Sequence, residues 1–154
     1  MRVKELQTSD VKSCSGDTDL AAAAKIMWDR DCGVVPVVDN ERKVIGVITD
    51  RDICIATATR STVPSEIRVR DVMSGQDLHS CGPDDDLRTA LATMKTHRVR
   101  RLPVLDRQQR LVGIISMSDL VMRAEGRRGA DVPGEEFLDT LQAICAHSTE
   151  AVSA

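Results

Sequence analysis

Two eight-residue stretches of the chain share one grammar: GVITDRDI at residues 46–53 and GIISMSDL at residues 113–120. In each, a glycine precedes two aliphatic residues, a hydroxyl residue, two variable positions and an aspartate. The chemistry-bearing pairs are Thr49 with Asp52 and Ser116 with Asp119. A hydroxyl and a carboxylate at this spacing, where a strand runs into a helix, have two uses. As a capping box, the hydroxyl accepts from a backbone N–H of the first turn while the carboxylate reaches back to the N-cap N–H. A carboxylate held at a helix N-terminus can also accept both hydroxyls of a ribose cis-diol, with the hydroxyl residue bonding the sugar. The two uses are compatible, and the tetrapeptide alone favours the capping box.

The octets lie 67 positions apart, and the sequence around them repeats at that offset. Cys14 meets Cys81, Asp19 meets Asp86, Leu20 meets Leu87, and Met27 meets Met94. Pro36-Val37 meets Pro103-Val104, and Asp39 meets Asp106. No gap is needed from Cys14 to Ile53. VKEL at residues 3–6 resembles VRDV at 69–72 after one inserted residue. Self-similarity of this kind means one supersecondary unit built twice.

Each copy reads as a short leading strand, helix, strand, strand, helix. Asp17 and Asp84 are N-cap candidates before the first helices. One helix face carries Leu20, Ala23, Ala24 and Met27, and its counterpart carries Leu87, Ala90, Leu91 and Met94. VVPVVD and RLPVLD read as buried strands whose proline lacks a donor and belongs at an edge or a bulge. Polar turns follow, then VIGVIT and LVGIIS, then second helices opening at DRDICIATA and MSDLVMRA. The boundaries expected are repeat 1 over 1–59, a linker over 60–68, repeat 2 over 69–125 and a tail over 126–154. Phe137, Leu138, Leu141, Ile144 and Cys145 have helical spacing, which predicts an amphipathic tail helix.

Composition narrows the function classes. The chain has 154 residues and a net charge of −3, so it carries no basic footprint for nucleic acid. Trp28 and Phe137 are its only aromatic residues, which leaves no platform for stacking bases of single strands. The five cysteines, Cys14, Cys32, Cys54, Cys81 and Cys145, form no CxxC pair and no cluster at metal spacing. Their odd number suggests reduced thiols and a cytoplasmic setting. The absence of a leading apolar stretch or a long apolar run argues against secretion and membrane spanning. There is no nucleophile–base constellation and no glycine-rich phosphate loop, so the chain is expected not to be an enzyme. His79 and His147 lack partners at catalytic or metal spacing and read as surface histidines, and the six methionines read as core filler.

The element order, the PV strand ending in aspartate and the doubled G-h-h-[ST]-x-x-D turn resemble the CBS domain, two of which form a Bateman module. The layout is similar to small stand-alone bacterial CBS-pair proteins of the hypoxic response protein type. The resemblance covers roughly residues 1–125. It implies an α/β (α+β) fold of two β-α-β-β-α repeats related by a pseudo-twofold axis, here followed by a short C-terminal helix. It also implies clefts between the repeats that bind adenosine-containing ligands: AMP, ADP, ATP, NAD or S-adenosylmethionine.

Carried over by motif, Thr49 and Asp52 hold one ribose, and Ser116 and Asp119 hold the other. Around the adenine the resemblance places Val11, Ser13, Val35 and Pro36, and Leu78, Ser80, Leu102 and Pro103. Core packing is the other reading of these residues. For phosphate, the stretch HRVRRLPV offers His97 and Arg98, as in AMP-sensing members of the family. Guanidinium forks suit phosphate oxygens, although a basic helix C-terminus is also favourable without any ligand. The matching stretch of repeat 1, Arg30-Asp31-Cys32-Gly33, has one arginine beside an acid, with Arg51 as a further cation. The leading function is thus a regulatory module that senses an adenine nucleotide and works as a homodimer on an unidentified partner protein. Its rivals are a ligand-free structural or oligomerisation protein and an S-adenosylmethionine-binding pair.

Overall fold

A glycine at the same place in each octet is explained by what crosses it. A Cβ on Gly46 would stand 2.6 Å from the Ser74 carbonyl oxygen, and one on Gly113 would stand 2.7 Å from the Gln7 side chain and 3.1 Å from the Thr8 carbonyl. At both places an extended segment lies against the strand. It is held by paired backbone hydrogen bonds, Val47 with Ser74 at 3.0 Å in both directions, and Thr8 with Ile114 at 2.9 Å in both directions. These crossings organise the fold.

The computed structural model describes residues 1–75, 78–124 and 134–146. The described elements run β1 (Cys14–Ser15), α1 (Leu20–Asp29), β2 (Val34–Val38), β3 (Val44–Thr49), α2 (Asp50–Arg60), α3 (Leu87–His97), β4 (Arg101–Leu105), β5 (Leu111–Ser116), α4 (Met117–Ala124) and α5 (Gly134–Cys145). Single 3-10 turns cover Val3–Glu5, Pro64–Glu66 and Val69–Asp71. This is the mixed α+β fold that the repeat predicts. His147 lies outside the described residues.

The chain divides into two packing units, neither of them contiguous. The first comprises residues 10–78 and 105–112, and the second comprises 1–9, 79–104 and 113–154. In the first, β1-β2-β3 form a sheet, with β1 parallel and β3 antiparallel to β2. The segment after α2 closes this unit: Val69 N donates to Thr18 O at 2.8 Å and Arg70 N to Gly16 O at 3.0 Å. In the second, the chain's own start takes that place, with Val3 N on Asp85 O at 3.0 Å and Lys4 N on Pro83 O at 2.9 Å. Strands β4 and β5 form a two-stranded sheet. The leading strand of repeat 2 is reduced to one parallel bridge, Cys81 to Val104.

Both cores are aliphatic, as a chain with two aromatic residues requires. The first gathers Cys14, Leu20, Ala23, Met27, Val35, Val37, Ile48, Ala56, Ile67 and Val69. In the second unit Val3, Leu87, Ala90, Met94, Leu102, Ile115 and Leu120 are buried at matching places. Burial pushes the Cys14 thiol up to about 11 and the Cys81 thiol up to about 12, so both stay protonated near neutral pH. Among the described residues no helix is long and apolar enough to cross a membrane.

The structure corrects the helix starts. The N-caps are Asp19 and Asp86, whose carboxylates accept from Ala22 N and Arg88 N, both at 2.9 Å. Asp17 and Asp84 stay outside the helices because their chain is drawn into backbone pairing with the crossing segments. Their carboxylates instead meet Arg70 and Lys4. Pro36 sits in the central strand of its sheet, yet β1 pairs only with Val37 and Val38, and the β2–β3 register shifts between those two residues. The ladder therefore asks nothing of the missing proline N–H.

Gly46→Ala should destabilise the protein by roughly 1–3 kcal/mol, because the new methyl forces apart two backbones that are hydrogen-bonded to each other. Urea unfolding of the variant beside wild type measures this. An unchanged midpoint would mean that the crossing yields without cost.

Candidate functional site

Each hydroxyl–carboxylate pair is locked into a helix start. Thr49 Oγ1 donates to Asp52 Oδ2 at 2.6 Å, Thr49 N donates to the same oxygen at 2.9 Å, and Asp52 N donates back to Thr49 Oγ1 at 3.2 Å. The second copy repeats this: Ser116 Oγ to Asp119 Oδ2 at 2.6 Å, Ser116 N to the same oxygen at 3.1 Å, and Asp119 N to Ser116 Oγ at 3.1 Å. These are capping boxes. Each hydroxyl has spent its only proton on its aspartate, so toward a sugar it can only accept.

The two carboxylates differ in their second oxygen. Asp119 Oδ1 accepts from the Thr8 hydroxyl at 3.4 Å. Asp52 Oδ1 makes no hydrogen bond among the described residues, and Ser74, which stands where Thr8 does in the other copy, forms no such bridge. A free carboxylate oxygen at the positive end of α2 is an acceptor waiting for donors. Both aspartates are half-buried, which limits competition from water.

The cations also differ between copies. Arg98 caps α3 in the left-handed conformation, φ 54°, and its exposed guanidinium has no ion-pair partner among the described residues. Its counterpart Asp31 has φ 48°, so both repeats end their first helix in a left-handed residue that is not glycine. Arg30 is bound to Asp10 at 2.7 Å, and its guanidinium holds the Asp10 carboxyl below the usual carboxylate range. Arg51 is exposed on the first turn of α2. His97 stacks on His79 with ring centroids 3.5 Å apart and planes 18° from parallel. That pairing escaped the sequence: the two histidines share no periodicity and meet because the leading segment of repeat 2 passes the C-terminus of α3. Among the described residues no group of three His, Cys, Asp or Glu could hold a metal ion.

Of the adenine candidates, Val35 and Leu102 are fully buried, and Pro36 and Pro103 are buried with them in the strands. These four pack the cores. Val11, Ser13, Leu78 and Ser80 are half-buried and retain open surface.

Residues 3–58 and 69–126 each match the CBS domain. The chain is 34% identical over 128 residues to the CBS domain-containing protein YhcV of Bacillus subtilis, covering 83% of this chain and 89% of that one. It is 35% identical over 123 residues to an inosine-5'-monophosphate dehydrogenase of Methanocaldococcus jannaschii, spanning 79% of this chain but only 23% of that enzyme. Among solved structures, Hypoxic Response Protein I, which holds two coordinated zinc ions, superposes with a TM-score of 0.71 at 25% identity, covering 79% of this chain and 98% of that one. The CBS domain pair of MJ0100, solved with 5-methylthioadenosine and S-adenosyl-L-methionine, gives a TM-score of 0.73 at 23% identity, over 82% of this chain and 97% of that one.

Asp52→Asn and Asp119→Asn should each lose roughly 0.3–1 kcal/mol of stability, the worth of an anion at a helix N-terminus. Asp119→Asn should lose more of the two, since it also disturbs the Thr8 contact. Thermal unfolding of both variants measures the order, and a larger loss at Asp52 would contradict it.

Proposed function

We propose, from the premise that the chain belongs to the CBS-domain family as a tandem pair, that it is a non-enzymatic regulatory module that binds an adenine nucleotide. CBS pairs commonly bind adenosine-containing ligands. The free Asp52 Oδ1 at the start of α2 carries this reading. It can take both ribose hydroxyls without disturbing the cap, because the cap uses the other oxygen. Asp119 is the second ribose clamp and must first release the Thr8 hydroxyl. Val11, Ser13, Leu78 and Ser80 offer the adenine its open surface.

The phosphate end is asymmetric. Unpaired Arg98, beside His97, is the clamp of repeat 2, whereas in repeat 1 Arg30 is already neutralised by Asp10 and exposed Arg51 is the remaining cation. This arrangement favours AMP, ADP, ATP or NAD over S-adenosylmethionine, whose sulfonium is repelled by the same cation. Ligand binding would act by differential affinity for two states of the module. The module works in the cytoplasm, where its free cysteines persist as thiols. It pairs with a second copy through exposed apolar helix residues, Ile55 of α2 and its repeat counterpart Met122 of α4. Phe137 of α5 takes no part in this, because it is buried within its own chain.

Two measurements decide these points. In calorimetry, 2'-deoxy-AMP should bind roughly tenfold or more weakly than AMP, and Arg98→Ala should weaken AMP by a similar factor while sparing adenosine, given about 1.5–3 kcal/mol for a charged hydrogen bond. Equal affinity for AMP and its deoxy analogue would reduce both octets to capping boxes. Light scattering at micromolar protein should give a dimer mass, and a monomer mass would overturn the pairing.

A further inference from the structure

At the repeat offset His79 meets Lys12, and His97 meets Arg30. The two copies thus fill the same pair of positions with different chemistry. In repeat 1 both residues are permanent cations with a carboxylate between them. Arg30 bonds Asp10 at 2.7 Å and, with Lys12 adding to the effect, holds the Asp10 carboxyl below the usual range. In repeat 2 both are imidazoles, stacked with centroids 3.5 Å apart and planes 18° from parallel.

Rings in face contact leave their nitrogens at the rim. His97 is exposed at the end of α3, and half-buried His79 rides on the segment that Cys81 N ties to Pro103 O at 3.1 Å. Histidine changes its charge between about pH 5 and 8. Two imidazolium ions in contact repel, so the pair acts as one cation at most.

No acid among the described residues balances that charge. Neither imidazole has an ion-pair partner there, and the carboxylates of the surrounding elements are engaged elsewhere. Asp139 of α5 meets Lys95, Asp119 of α4 meets Ser116 and Thr8, and Asp85 accepts from Gly82 N. Glu135 and Glu136 of α5 lie toward the other end of α3, where Glu136 meets Arg88. Asp77, the counterpart of Asp10, lies outside the described residues. The charged neighbours along the chain are cations: Arg98 at the left-handed cap, then exposed Arg100 and Arg101. Imidazoles gathered with arginines and without a carboxylate suit an anion.

We propose that His79 and His97 act as one phosphate-binding element of repeat 2, charged by a proton that enters with the ligand. This deepens the nucleotide reading above and rests on it. Arg98 supplies the fixed positive charge, and the imidazole pair adds a second that the bound phosphate stabilises. In repeat 1 the charge of Arg30 is permanent but already matched by Asp10, whereas the histidines of repeat 2 hold theirs in reserve. Phosphate binding at repeat 2 therefore weakens as pH rises through the histidine range.

The probes are AMP and adenosine, measured by calorimetry at about pH 6 and about pH 8, on either side of that range. A phosphate monoester itself titrates at about pH 6, so wild type is compared with two double variants that share this background. His79→Phe with His97→Phe keeps two flat rings and removes the proton. His79→Lys with His97→Arg copies repeat 1 and makes the charge permanent. The ratio of AMP affinity in acid to that in base should be roughly tenfold larger in wild type than in either variant, the size of one charge-assisted hydrogen bond. Adenosine should bind all three proteins alike. Wild type alone gives a second reading, in two buffers of different ionisation heat. Near neutral pH, AMP should bind with net proton uptake, whereas a clamp of arginines alone favours the phosphate dianion and releases protons. Net release, or one affinity ratio shared by all three proteins, would overturn the role of the histidines and leave the nucleotide reading standing. No AMP binding at either pH would overturn the nucleotide reading itself, and this inference with it.

Discussion

The close approach of two backbones over Gly46 and over Gly113 is the constraint on which the rest of the molecule depends. A carbonyl stands 2.6 Å from the place a Cβ would occupy on Gly46, so no other residue fits without displacement. The reward is two paired hydrogen bonds that tie a distant segment to β3 or β5. Those strands end at Thr49 and Ser116, where the helix caps begin. The glycine, the crossing and the hydroxyl–carboxylate lock are thus consecutive consequences of one local geometry. It is built twice, with the Thr8 bridge to Asp119 as its main asymmetry.

Much of this was legible in the chain because it is written twice. Agreement at a fixed offset separates residues that the architecture needs from residues that merely occupy space. The helices over 20–29 and 87–97 follow the apolar spacing, and the proline strands follow the branched residues around them. The capping boxes were readable from spacing alone. Three things were not. Asp19 and Asp86 cap the helices in place of Asp17 and Asp84 because backbone pairing to a distant segment fixes where the helix can start, and local sequence does not encode that segment's position. Whether buried Val35 and Leu102 serve the core or a ligand was left open, since a buried strand presents the same residues in either case. The stacking of His79 on His97 joins two elements with no shared period.

The repeats also show how one scaffold is differentiated. Where α3 carries Arg88, Leu91 and Lys95, α1 carries Ala21, Ala24 and Trp28. The first set receives an acidic helix from the same chain, and the second leaves a groove with carboxylates at its lining. Asp31 and Arg98 hold the same left-handed backbone with opposite charges, so the cost of a non-glycine residue at that turn is retained in both copies while the chemistry presented changes. A duplicated fold keeps its backbone constraints and varies the side chains that face outward.

The assignment of residues 1–9 to the second packing unit bears on how the protein is born. Thr8 finds its partner in Ile114, and Val3 finds its own in Asp85. At roughly 5–20 residues per second on the ribosome, residues 3–8 wait several seconds or more before the segments they pair with exist. During that interval the apolar side chains of Val3 and Leu6 are unsheltered. The first unit, by contrast, has most of its parts once the segment through Ser74 has emerged, lacking only the hairpin at residues 105–112. Synthesis therefore imposes an order on two halves that symmetry would leave equivalent, and residues 1–9 are sewn in only after the segments they pair with, although they are made before them.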